Sequence, residues 1–344
     1  MRRLFAAVVS AAVLALAGCG AAPAQLTTTD TSVLGLEQVK VGMAYDLGGR
    51  GDKSFNDAAG AGLDRAKKDL LVQATEVAPK ENTDEVRAAT LRDLAKAGHN
   101  PVIAVGFLYA AAVDTVAKEF PQVTFAIVDS VSSVPNVVSL IFAEEQGSYL
   151  VGVAAALATH TGRIGFVGGV DVPLIHKFQA GYLAGARRVN PRVTVESTYL
   201  SAPPDFSGFN DPGKGKAAAA RMAADRVDVV YSAAGGSGPG VMQAMAAVKG
   251  SWGIGVDSDQ YQTADAATKP IVLTSMLKRV DNAVFQEIQA FIKGDRAGGV
   301  KQFDLKIDGV GYATSNETAI APYRARIDQE RQAIIDGSII VPDH

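Results

Sequence analysis

Val39-Lys40-Val41-Gly42-Met43-Ala44-Tyr45-Asp46-Leu47-Gly48-Gly49-Arg50-Gly51-Asp52-Lys53-Ser54-Phe55-Asn56-Asp57 is the stretch on which the fold is decided. Its first half is a short apolar run that stops at a carboxylate. Its second half is a glycine-rich turn leading into a helical pattern over Ser54–Asp69. A strand that tips into a turn and then a helix is the opening unit of a parallel α/β sheet. The glycines let the chain reverse tightly, and Ser54 with Asp57 fits a capping box.

The same alternation continues downstream. Strands are expected at Val39–Tyr45, Leu71–Val77, Val102–Val105, Thr124–Val128 and Val137–Phe142, with helices over Ser54–Asp69, Thr83–Ala97 and Ala110–Phe120. The pattern then restarts. Helices over Gln146–Thr159, Pro173–Val189, Gly213–Ala224 and Pro239–Val248 alternate with strands at Ile164–Gly168, Val193–Leu200, Val227–Ser232 and Trp252–Asp257. Strand Ile271–Leu277, helix Val280–Lys293, strand Gln302–Ile307 and helix Glu317–Asp336 complete the chain. Two successive doubly wound units predict two Rossmann-like lobes facing each other across a cleft. No Pro/Ser-rich linker parts them, which predicts several short crossings. The expected division is 38–142 plus 272–300 for the first lobe and 143–271 plus 301–344 for the second.

The N-terminus sets the expected compartment. Arg2 and Arg3 precede the apolar run Leu4–Leu16, the pattern of a secretory signal peptide and too short to span a bilayer. Arg2-Arg3 with Phe5 leaves twin-arginine export open beside the general route. The run closes on Leu16-Ala17-Gly18-Cys19, which resembles a bacterial lipobox. Cys19, the only cysteine, is therefore read as a lipidation site after loss of residues 1–18, and 19–37 as a flexible tether. Removing 1–18 takes away two positive charges, so the net charge of −3 becomes −5, with 31 basic residues against 36 acidic. That balance gives no basic footprint for nucleic acid.

The polar residues repeat by position. Asp46 follows the first strand, Asp129 follows Phe125-Ala126-Ile127-Val128, and Asp257 follows Gly253-Ile254-Gly255-Val256. One Asp after a strand is an ordinary turn residue. Three at the carboxyl ends of parallel strands, spread over two lobes, mark a shared ligand cleft. Phe55 and Asn56 fall in the first helical turn beside Asp46, where a flat ligand would stack on the ring at about 1–3 kcal/mol by analogy with base stacking. In the second lobe Asp211-Pro212 reads as a helix cap with Phe209 just outside it, and Phe206 competes for the same role. Ala234-Gly235-Gly236-Ser237-Gly238 offers backbone amides to a sugar or an anion. Lys278 ends another strand beside an expected crossing. Arg50 also stands within reach of the cleft, and Tyr149 is divided between cleft and core. The first turn lacks the Gly-Lys-Ser/Thr ending of a P-loop. The glycines of Gly162–Gly169 lie before and within a strand, which excludes a dinucleotide fingerprint.

Together these segments resemble the basic membrane protein family, which contains purine nucleoside receptor lipoproteins. The elements are Asp46 with Asp52-Lys53-Ser54-Phe55-Asn56, Phe142 with Glu145–Gly152, Gly208–Gly215, Gly255–Gln260 and Thr274–Val280. The resemblance implies a type I periplasmic-binding-protein fold serving an ABC permease and its ATPase. It implies that Phe55 and Phe209 sandwich a base whose edge is read by Asp46, Asn56 and Asp129. It also implies that Asp257, Lys278 and the Gly235-Gly236 loop hold a ribose. Three acids against one lysine favour a nucleoside over a nucleotide. Another flat heterocycle such as a flavin, or a sensor role without transport, are the neighbouring readings. A nucleoside hydrolase is the enzyme reading. The chain carries neither a metal-spaced Asp cluster near the first strand nor a Ser/His/Asp or Cys/His arrangement, and its four histidines, His99, His160, His176 and His344, lie apart in sequence. No cofactor and no metal are expected.

Overall fold

The run Val41–Ala44 is buried at every position, because a central strand of a parallel sheet is covered on both faces. It forms most of β1 (Lys40–Ala44) in the computed structural model, which describes residues 38–79, 81 and 83–344. The expected signal peptide, the tether and Cys19 lie outside the described residues. The chain continues through α1 (Phe55–Asp69), β2 (Gln73–Val77), α2 (Asp84–Lys96), β3 (Val102–Ala104), α3 (Ala110–Glu119), β4 (Phe125–Val128) and β5 (Val137–Phe142). The second unit runs α4 (Glu144–Ala158), β6 (Arg163–Val170), α5 (Pro173–Val189), β7 (Thr194–Ser201), α6 (Pro212–Ala224), β8 (Val229–Ala233), α7 (Gly238–Ala246), β9 (Trp252–Asp257), α8 (Gln260–Thr263) and β10 (Val272–Lys278). Then come α9 (Val280–Ile292), β11 (Gly299–Phe303), β12 (Val310–Tyr312) and α10 (Glu317–Ile335).

Among the described residues the strands form two six-stranded sheets, ordered β11-β5-β4-β3-β1-β2 and β12-β10-β9-β8-β6-β7. All pairings are parallel except that of β12 with β10. Leaving out the outermost strands β11 and β12, the two orders are the same, with β4 corresponding to β9. Each sheet therefore points its carboxyl-end loops at the region between them.

Among the described residues three crossings join the lobes: at Ala143 between β5 and α4, at Arg279 between β10 and α9, and over Asp304–Gly309 between β11 and β12. They are bonded to one another. Ala143 N donates to Phe303 O at 3.0 Å, and Arg279 N donates to Gly309 O at 2.9 Å. A band of this kind permits rotation of one lobe against the other about a few residues.

Two expectations are corrected. Residues 272–278 do not join the first lobe, because β10 runs parallel to β9 and carries β12 on its other side. Only α9, which packs on α1, and β11, which pairs with β5, return to the first lobe. The strand expected over Gln302–Ile307 lies earlier, at β11. Beyond it the Asp304 carboxylate accepts from Lys306 N and Ile307 N and winds Leu305–Ile307 into a 3-10 turn.

Candidate functional site

The turn after β1 is held by Asp52. Its Oδ1 accepts from Ser54 N at 2.9 Å and Asp57 N at 3.1 Å, and its Oδ2 accepts from Asn56 N at 2.8 Å. Asp52 thus caps α1, and the expected Ser54–Asp57 box does not form: Ser54 makes no side-chain cap bond. Asp57 instead accepts from Gly51 N and Lys53 N. This places Phe55 and Asn56 at the cleft. In the second lobe the turn between β7 and α6 is built as expected, with the Asp211 carboxylate accepting from Lys214 N and Pro212 in the first turn of α6.

Between the lobes lies a cavity of about 630 Å³ of empty space, part of it open to solvent. That is within the range of small-molecule sites. Asp46, Phe55, Asn56 and Asp129 line it from the first lobe; Phe209, Gly235, Asp257 and Lys278 line it from the second. Gly236 is not part of the lining. It packs against Asn210, whose Oδ1 would lie 2.7 Å from any Cβ placed there. Phe209 reaches the cavity because Gly169 beneath it has no side chain; a Cβ there would meet the Phe209 ring at 2.4 Å. Phe206 does not line the cavity and meets Phe107 edge-on, with ring centroids 6.2 Å apart. Arg50 turns away to Glu76 and Asp64. Tyr149 belongs to the core, where its hydroxyl donates to Glu330 at 3.1 Å.

The acids differ in how they are held. Asp46 Oδ1 accepts from Leu47 N at 2.7 Å, and its Oδ2 packs on Gly106, where a Cβ would lie only 2.3 Å away. Burial pushes its pKa up to about 6, against the Leu47 hydrogen bond and the Arg87 charge. Asn56, 2% exposed, uses its amide on the same loop. Its Oδ1 accepts from Asp46 N, and its Nδ2 donates to Leu47 O and Asp52 Oδ2. One acceptor site on Asn56 remains for a ligand.

Lys278 is 2% exposed and sits between carboxylates, 2.7 Å from Asp129 Oδ2 and 3.0 Å from Glu144 Oε1. Its ammonium also lies 5.3 Å from the Phe55 ring centroid and 5.5 Å from that of Phe178. Burial opposes its charge, but Asp129, Glu144 and Asp257 outweigh that and raise its pKa. Two of its three donors are thereby spent, leaving one for a ligand. Burial also raises Asp129, with Lys278 opposing. Asp129 Oδ1 is buried without a hydrogen-bond partner, an acceptor whose desolvation a bound donor would offset. Asp257, 7% exposed, accepts from Ser54 Oγ at 2.5 Å. Burial pushes its pKa up to about 7, with the Lys278 charge and the Ser54 bond opposing.

Several lining residues carry no mark in the sequence. Phe107 opens the 3-10 turn after β3, Asp52 caps α1, and Leu174, Ile175 and Phe178 project from the first turns of α5. Glu144, in the first turn of α4, completes the charge cluster around Lys278. Among the described residues no group of His, Cys, Asp and Glu is arranged to hold a metal ion, and no helix is long and apolar enough to cross a membrane.

Comparison with known proteins agrees with this arrangement. Residues 39–344 match the family model described as ABC transporter substrate-binding protein PnrA-like. The chain is 34% identical over 327 aligned positions to the CD4+ T-cell-stimulating antigen of Listeria monocytogenes, with 88% of each chain covered. It is 33% identical over 352 aligned positions to the ABC transporter nucleoside-binding protein BmpA of Lactococcus lactis, covering 98% of this chain and 97% of that one. The crystal structure of an ABC transporter solute-binding protein from Aeropyrum pernix K1 superposes with a TM-score of 0.77 at 28% identity, over 89% of this chain and 94% of that one. The two-lobed sheet order is the periplasmic-binding-protein architecture.

Proposed function

The chain belongs to the family of PnrA-like ABC transporter substrate-binding proteins, and on that premise we propose that it captures a nucleoside, with purines preferred, for a membrane permease. The observation that carries the reading is the cavity itself. Phe55 and Phe209 enter it from opposite lobes among strand-tip carboxylates. Two rings from two lobes suit a flat heterocycle, and stacking on each is worth about 1–3 kcal/mol. Ionised carboxylates only accept, so they select N–H and O–H groups, as on a purine edge and a ribose. Asp46 and Asn56 stand beside Phe55, where a base edge would lie. Asp257, the remaining Lys278 donor and the Gly235 backbone stand on the second lobe, where a sugar would lie. Asp46, Asp52, Asp129 and Asp257 against Lys278 leave the lining net negative, which repels a phosphate. The BmpA relative, named as a nucleoside-binding protein, agrees with this reading.

The family role is binding, not catalysis. We assign the energy for uptake to a partner permease and ATPase, and anchoring at the extracytoplasmic face of the cell membrane to lipidated Cys19 after export. Ligand bridging both lobes would stabilise the closed form by its differential affinity for that form. Titration of purified, refolded protein with adenosine, guanosine, inosine and pyrimidine nucleosides tests the proposal. Saturable binding is expected, strongest for a purine nucleoside. A response to none of them, or to riboflavin alone, would overturn it.

A further inference from the structure

Ser54 occupies the position before α1 where a hydroxyl ordinarily accepts from its own helix. It does not do so here, because the Asp52 carboxylate already takes the Ser54, Asn56 and Asp57 amides. The Ser54 hydroxyl is free to point elsewhere. Fully buried, it reaches across the cleft to the tip of β9, 2.5 Å from Asp257 Oδ2 and 3.3 Å from Val256 O.

Two further bonds run beside it in the opposite direction. Ser258 Oγ donates to Ser54 O at 2.9 Å, and Gln260 Nε2 donates to Lys53 O at 3.2 Å. Gln260 is itself anchored in the second lobe, its backbone N donating to Ser275 Oγ at 3.1 Å. The two residues at the centre of this seam, Lys53 (φ 56°) and Asp257 (φ 62°), both hold left-handed backbone. Such conformations are uncommon outside glycine and persist where surrounding contacts fix them.

We propose that Ser54 is a positioning residue, which from the first lobe aims the Asp257 carboxylate of the second, so that this acid is set for ligand only when the lobes are together. Closure and assembly of the ligand site are then one event. Ser54, Ser258 and Gln260 form its latch. Part of the contact that stabilises the closed form is between protein groups, and a ligand adds to a pre-biased equilibrium. This rests on the cleft being the binding site, as argued above.

The test uses spin labels at the exposed positions Lys118→Cys and Asp225→Cys, on a Cys19→Ala background, to measure the distance between lobes with and without ligand. Ser54→Ala should lengthen and broaden the ligand-free distribution and weaken inosine or adenosine binding about tenfold or more, as for loss of a hydrogen bond to a charged group. In an Asp257→Ala background the same change should add little to the lengthening, because the two residues act through one bond. Unchanged ligand-free distances in Ser54→Ala, or full additivity with Asp257→Ala, would overturn the proposal. The ligand-free arm decides this even where no nucleoside binds, an outcome that would count against the nucleoside reading alone.

Discussion

Asp129 and Asp257 stand at corresponding places in the two lobes, just after β4 and at the last residue of β9, and both hold left-handed backbone, with φ of 67° and 62°. Their surroundings differ. Asp129 is paired with a buried ammonium, Lys278, at 2.7 Å. Asp257 has a neutral hydroxyl, Ser54, at 2.5 Å. In both cases the partner comes from the opposite lobe. The repeated fold places two acids at the cleft, and the cross-lobe partner decides what each can do. One is half of an ion pair whose removal would leave charge buried. The other is an acid whose protonation state changes near neutral pH.

The largest expected effect comes from removing the ion. Lys278→Met leaves Asp129 and Glu144 buried without their counter-charge, a class of change that costs about 3–5 kcal/mol. Chemical denaturation should show it, and a loss below about 1 kcal/mol would mean the pair is not a buried unit. Second, Asp257→Ala and Phe55→Ala should each weaken purine nucleoside binding at least tenfold, about 1.4 kcal/mol, as read by calorimetry. Wild-type affinity in both would place the site elsewhere.

The third effect is pH dependence. With its pKa near 7, Asp257 is largely protonated at pH 6 and ionised at pH 8. A ligand that needs the carboxylate should therefore bind about tenfold more weakly at pH 6 than at pH 8. Stability without ligand should run the other way. An acid whose folded pKa is raised stabilises the fold while protonated, and that contribution is lost as pH climbs from about 4 through 7. Asp46, near 6, Glu145, raised by burial to about 7, and Asp129, also raised by burial, act in the same direction. The ligand-free melting temperature should fall by several degrees between pH 5 and pH 8. Asp257→Asn should flatten both slopes. Slopes unchanged in that variant would assign the titration to other groups.

The sheet strands could be read from sequence because parallel strands are short continuous apolar runs bounded by turns, and β5, α5 and β9 fall on their expected residues. Which sheet the strand after Thr268 joins could not be read. A strand's own pattern does not encode its neighbour, so β10 was expected in the wrong lobe. β12, three residues long, is too short to carry a period. The acids at the strand tips were legible because a carboxylate after an apolar run stands out. Phe107 was not, since Gly106-Phe107-Leu108-Tyr109 reads as the apolar start of α3. Leu174, Ile175 and Phe178 share the periodicity of the buried face of α5, where lining and core residues look alike. The direction of Ser54 was hidden for a different reason. Its spacing to Asp57 satisfies a local cap, and only the geometry shows that Asp52 has taken that task.

The most direct test of the central claim is a crystal structure of the protein purified without denaturation, so that any tightly held natural ligand is retained. The account predicts a planar heterocycle between Phe55 and Phe209, its sugar hydroxyls on Asp257, and no phosphate. A ligand bound outside this cleft, or Phe55 and Phe209 packed against each other with no room for a ring between them, would contradict it.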